Sequence, residues 1–140
     1  MMRAPIVVGF LVLAVGAAAQ GTQRRAQTAV EGTWLVASLN GRTSDGDGVQ
    51  IAITITGDRY EQSVNGNVDE RGTVKVDPTA NPMAIDFIII EGVARNTTQL
   101  GIFEVTGDTV KFCLNTPGAA VRPADFMPLG DHLLIIAKKK

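Results

Sequence analysis

Few side chains in this sequence could act as nucleophiles, bases or metal ligands. His132 is the only histidine and Cys113 the only cysteine. Pairing His132 with Ser38, Ser44 or Ser63 would resemble a hydrolase triad, but none of these serines stands on a nucleophile-elbow motif. His132 follows Asp131 and precedes the apolar run Leu133–Ile136, so it reads as the entry to a strand. One His and one Cys are too few for a zinc site without carboxylates gathered by the fold. The runs "SDGDG" (Ser44–Gly48) and "NGNVDE" (Asn65–Glu70) place oxygen ligands at alternate positions, as calcium loops do. Neither continues to the glutamate at the twelfth position, and Asp, Asn and Gly also make turns. Asp69 and Glu70 are adjacent, and neighbours on a regular strand point to opposite faces, so they are not expected to share a site. Glu104 alternates with Phe103 and Val105, and the apolar pair is expected inside with Glu104 in water. Asn96-Thr97-Thr98 is a glycosylation sequon, a sequence that often arises by chance. No phosphate-binding glycine motif in a strand-to-helix context is present. These residues predict neither an enzyme nor a metal or cofactor protein.

The elements that could position a binding site are clearer. "MMRAPIVVGFLVLAVGAAAQ" has a base at Arg3, an apolar run from Ile6 to Val15, and the small residues Ala17, Ala18 and Ala19. This layout predicts a secretory signal peptide over 1–19, cleaved after Ala19. The run is about ten residues, against the roughly 20 that span a bilayer, so no stable membrane insertion is expected after cleavage. The product would be periplasmic or extracellular. "QGTQRRAQTA", 20–29, is polar without apolar periodicity and reads as a disordered linker. The charge is balanced, 13 Lys and Arg against 14 Asp and Glu, which leaves no electrostatic footprint for nucleic acid. Cys113 has no intrachain partner. It is expected buried in a strand, the alternative being an intermolecular disulfide.

From Val30 to Lys140 the pattern is strands and turns. "VQIAITIT" (Val49–Thr56) alternates β-branched residues with polar or small ones, a strong strand signal. Asn65-Gly66 predicts a tight hairpin turn. Thr56-Gly57-Asp58 and Thr106-Gly107-Asp108 read as two turns of one type. Gly72 marks a bulge within Val68–Val76. The remaining strands are read at Thr33–Asn40, Arg59–Val64, Ala84–Ile90, Gln99–Thr106, Thr109–Asn115 and His132–Lys139. The links are too short for parallel crossovers, so the expected fold is all-β, an eight-stranded antiparallel up-and-down meander closed into a barrel. Thr116–Asp131 is the long irregular segment. It holds three prolines with Phe126, Met127 and Leu129, and is expected to cover one mouth, with a short helical turn near Pro123–Phe126.

The ordered succession "VEGTWLVASLNGR", "ITGDRYEQSVNG", "GTVKVDPTANPMAIDF", "LGIFEVTGDTVKFCLNTPG", "RPADF" and "HLLIIAKK" resembles an uncharacterised family of secreted domains abundant in planctomycetes. Its pattern begins with Gly-x-Trp and ends with an Arg-Pro-x-x-Phe loop. The resemblance runs from about Val30 to Lys138, with Phe103 where the family often has tyrosine. It implies a lipocalin-like (calycin-like) barrel over 30–140 and assigns no activity. By the same resemblance, Gly32 and Trp34 close one end of the barrel, with Lys138 as the basic partner of the tryptophan.

The functional expectation is an exported, monomeric barrel that binds a small apolar or amphipathic ligand. Tyr60, Phe87 and Phe112 would line the interior, and Arg122 and Phe126 would belong to the lid. The alternative is an envelope protein–protein interaction or inhibitor module with a solid core and no ligand. An interior volume of several hundred Å3 would separate the two. No nucleic acid partner is expected.

Overall fold

The computed structural model describes residues 20–43 and 48–140. The expected leader, 1–19, and residues 44–47 of the "SDGDG" run lie outside these residues. The strands are β1 (Gly32–Leu39), β2 (Arg42–Thr43), β3 (Ile51–Thr56), β4 (Arg59–Val64), β5 (Asn67–Asp77), β6 (Met83–Glu91), β7 (Thr97–Thr106), β8 (Thr109–Leu114) and β9 (Leu133–Lys139). Every pairing is antiparallel, from β1–β3 through to β8–β9. β9 returns to pair with β1, Trp34 opposite Lys139, which closes eight strands into an up-and-down barrel. β2 is a two-residue extension on β1. The fold is the lipocalin-like all-β barrel, with one helix added.

Turn chemistry explains the register. Asn40-Gly41 and Asn65-Gly66 both have two positive φ values in succession (50° and 84°; 51° and 84°), the type I′ arrangement that matches strand twist. Each asparagine also clips its turn to a neighbouring segment. Asn40 Oδ1 accepts from Leu134 N and Asn65 Oδ1 from Gln50 N, both at 2.7 Å. Gly57 and Gly107 have nearly equal φ, 60° and 59°, each followed by an aspartate at negative φ, so the two Thr-Gly-Asp turns are alike. Gly72 sits at a register shift between β5 and β6. A Cβ there would strike the Ile88 carbonyl oxygen and lie 2.9 Å from the Tyr60 ring, so only glycine fits between them.

The barrel is filled by its inward-facing rows. Trp34, Ile53, Ile55, Tyr60, Val74, Val76, Ile85, Phe87, Ile89, Phe103, Val110, Phe112 and Ile135 are all buried in one core. Glu104 is exposed beside buried Phe103, as the alternation predicted. Tyr60, Phe87 and Phe112 pack edge to face, with centroids 4.9 and 5.7 Å apart.

Residues 20–30 form a helix, α1, rather than the disordered linker expected over 20–29. Gln23, Ala26, Gln27 and Val30 recur at helical spacing on one face. Ala26 and Val30 enter the core cluster, Val30 fully buried. Gln23 Nε2 donates to Val76 O at 2.7 Å and Gln27 Nε2 to Gly57 O at 2.9 Å. Glu31 Oε1 accepts from Gly57 N at 2.9 Å. α1 therefore stoppers the end of the barrel where β1 begins. Two of its four inward positions are glutamines, which is why an apolar count overlooks it.

Candidate functional site

The closed end is built around Trp34, whose side chain is wholly buried. Its Nε1 donates to Val30 O at 2.8 Å, tying α1 to β1. Gly32 has φ 127°, and a Cβ there would press on Lys139 Cε at 2.7 Å. Lys139, not Lys138, is the basic partner, with Nζ 5.4 Å from the ring centroid of Trp34. The register decides this. Lys139 is opposite Trp34, whereas Lys138 is opposite Leu35 and faces the other way.

The other end carries the polar residues. Tyr60 Oη donates to Glu70 Oε2 at 2.9 Å. Burial, and then the adjacent Glu70 charge, push the Tyr60 hydroxyl far above its ordinary pKa. Glu70 is itself raised, chiefly by desolvation, against the lowering effect of the Tyr60 hydrogen bond and with a further rise from Asp69. Asp69 and Glu70 do not obey strict alternation. Gln62 is opposite Glu70 and Ser63 opposite Val68, so Asp69 is an extra residue in a β-bulge. Gln62 Nε2 thereby reaches Asp69 Oδ1 at 3.3 Å, and both carboxylates neighbour the same glutamine.

Beneath this rim lies an interior cavity of about 20 Å3, lined by residues that include Tyr60, Gln62, Glu70, Phe87 and Gln99. That is room for about one water molecule. Tyr60, Phe87 and Phe112 meet inside the barrel, and their packing leaves only this small cavity, which Tyr60 and Phe87 line. The wider hollows, of about 530 and 460 Å3, are on the outer wall, one beside β1 and one across β4, β5 and β6.

Arg122 and Phe126 are not a lid. The segment 115–132 runs as a strap across the outside of β6, β7 and β8, and residues 124–126 bend without forming a helix. Arg122 Nη1 lies 2.8 Å from Asp86 Oδ1, 2.8 Å from Gly101 O and 3.2 Å from Ile85 O. Asp86 lies between the inward Ile85 and Phe87, so it faces outward. Its buried Oδ1 has no aligned hydrogen bond, and Arg122 is its charge partner. Phe126 stacks on Lys111, with Nζ 4.7 Å from the ring centroid. Asn115 Nδ2 donates to Val121 O at 2.8 Å, and Pro123 is buried. The strap crosses the wall because that wall is apolar: Ala84, Ile102 and Cys113 face outward yet are buried. Cys113 Sγ is 3.9 Å from Met127 O. Burial first, then the charge of Asp125, raises its thiol pKa, which keeps it unreactive.

Held this way, the strap turns three large apolar side chains outward. Val121 is 69% exposed, Met127 52% and Leu129 65%. Their exposure was not legible in the sequence, where Met127 and Leu129 read as packing residues. Among the described residues, no group of three or more His, Cys, Asp or Glu side chains could hold a metal ion, and no helix is long and apolar enough to cross a membrane. Comparison with protein-family models, curated proteins and solved structures returned no match.

Proposed function

We propose that this chain is an exported, non-catalytic interaction module. It is a solid barrel of the secreted lipocalin-like family its motifs resemble, and it presents the 115–132 strap to a protein partner in the envelope or outside the cell. The observation that carries this reading is the filled interior. A cavity of about 20 Å3 is far below the roughly 300–1,000 Å3 of small-molecule sites, so an apolar ligand inside the barrel has no volume to occupy. The strap supplies what the interior lacks. Anchored by Arg122, Asn115 and buried Pro123, it holds Val121, Met127 and Leu129 in water. Fixing a loop before binding reduces the entropy lost when it meets a partner.

The test uses the full-length protein expressed in a host that exports it. A photo-crosslinking residue is placed at Met127 or at Leu129, with one at Val49, away from the strap, as control. A protein adduct from the strap positions alone is the expected result. Native mass spectrometry of the same preparation addresses the ligand alternative. A stoichiometric small molecule inside the barrel, with no strap-specific adduct, would overturn the reading.

A further inference from the structure

Among the described residues, three oxygens at the rim of the small cavity, on Glu70, Gln62 and Gln99, accept no hydrogen bond. Glu70 Oε2 accepts from Tyr60, and Oε1 has no donor among the described residues. Gln62 uses its amide nitrogen on Asp69. Gln99 uses its own on Asn115 O at 2.9 Å. Among the described residues, the carboxamide oxygens of both glutamines accept no hydrogen bond. Among the described residues, neither Asp69 nor Glu70 is paired with a lysine or arginine, because the ion pairs are Arg71 with Glu61 and Glu91, and Arg122 with Asp86. The side chains of Gln62, Glu70 and Gln99 line one cavity, whose floor includes the aromatic residues Tyr60 and Phe87.

We propose that this rim binds a primary ammonium group, R–NH3+, seated among Gln62, Glu70 and Gln99. The chemistry follows from the inventory. A guest must bring donors, since the free oxygens, Glu70 Oε1 and the carboxamide oxygens of Gln62 and Gln99, are acceptors. It must carry positive charge, since the carboxylates have no cation. Its head must be close to the size of a water molecule, since the cavity is about 20 Å3. A primary ammonium meets all three conditions. Guanidinium and quaternary ammonium groups are too large, and a quaternary group has no N–H to donate. The rest of the amine extends through the open mouth into solvent. The desolvation that raises the Glu70 pKa is what a bound cation would relieve. This site is independent of the strap.

The experiment titrates isotope-labelled full-length protein with methylammonium chloride at constant ionic strength. The side-chain amide signals of Gln62 and Gln99 are followed, with Gln23 and Gln27 on α1 as references. Saturable shifts at the rim and none at α1 are expected. Tetramethylammonium at the same concentrations should leave the rim unchanged. Glu70→Gln, whose new amide can still accept from Tyr60, should weaken binding by about tenfold or more, as loss of a charge-assisted hydrogen bond does. A second arm uses Nα-acetyl-lysinamide. Binding there would extend the site to lysine side chains of proteins, and binding of methylammonium alone would restrict it to small free amines. The proposal is overturned if neither amine gives saturable shifts, if tetramethylammonium shifts the same signals, or if Glu70→Gln binds as tightly as the parent. The tetramethylammonium comparison uses the unaltered chain, so it stands whatever the variant does to folding.

Discussion

Arg122→Gln should loosen the strap while leaving the barrel folded. A single guanidinium nitrogen, Nη1, lies within 3.2 Å of the Asp86 carboxylate and of two wall carbonyls, Gly101 O and Ile85 O. Hydrogen bonds to charged groups contribute about 1.5–3 kcal/mol each when shielded. The Arg122 and Asp86 side chains are 33% and 23% exposed, so solvent screens part of this and the contributions do not add. About 2–3 kcal/mol for the whole anchor is the reasonable scale, and it falls on strap opening rather than on the barrel. Cys113 reports that opening, because it is wholly buried and its sulfur lies against Met127 O on the strap. The assay is the rate of thiol labelling at fixed pH in native buffer, alongside circular dichroism of the barrel. With tenfold per 1.4 kcal/mol, labelling should speed up roughly 30- to 150-fold while the strand signal is unchanged. Adding Asp86→Asn to Arg122→Gln should recover part of the protection by removing the orphaned carboxylate. A labelling rate in Arg122→Gln within twofold of the parent would show that Arg122 does not anchor the strap.

Three further outcomes follow from the closed end and the rim. Trp34→Ala should lower unfolding stability by about 3–5 kcal/mol, measured by denaturant titration with circular dichroism, because a wholly buried indole and its bond to Val30 O are lost together. Val30→Ala should remove about 2 kcal/mol and shift Trp34 fluorescence to longer wavelength as α1 loosens; an unshifted spectrum would place Val30 outside the stopper. Glu70 makes stability depend on pH in a defined direction. Its folded pKa is raised above the unfolded value, so between the two the folded state binds more protons. Stability should therefore fall as pH rises from about the ordinary glutamate pKa through the raised one, and Glu70→Gln should flatten that segment of the profile.

Much of the barrel was readable because its signals are local. Alternation in "VQIAITIT" needs no partner to be seen, and although the strand itself starts at Ile51, the inward positions Ile53 and Ile55 are as read. Asn65-Gly66 and the two Thr-Gly-Asp turns set hairpins by their own backbone preferences. The readings that failed depended on distant neighbours. α1 is stabilised by its bonds to the barrel end at Val76 and Gly57, so its helical face has glutamines where an apolar stripe was sought. The strap was expected over a mouth because its apolar residues had to pack somewhere, and only the closed wall shows that Ala84, Ile102 and Cys113 receive it. The bulge at Asp69 depends on pairing with β4, which no stretch of β5 reveals by itself.

By itself, then, the sequence determined the strand periodicity, the turns, the order of a meander, and a tryptophan suited to closing one end. Each follows from side-chain alternation and from φ preferences that act within a few residues. Tertiary structure alone decided whether the barrel was hollow, which lysine meets Trp34, where Arg122 and Phe126 lie, and that Asp69, Glu70 and Gln62 converge. Those outcomes depend on volume and register, which exist only when all eight strands have closed around one another.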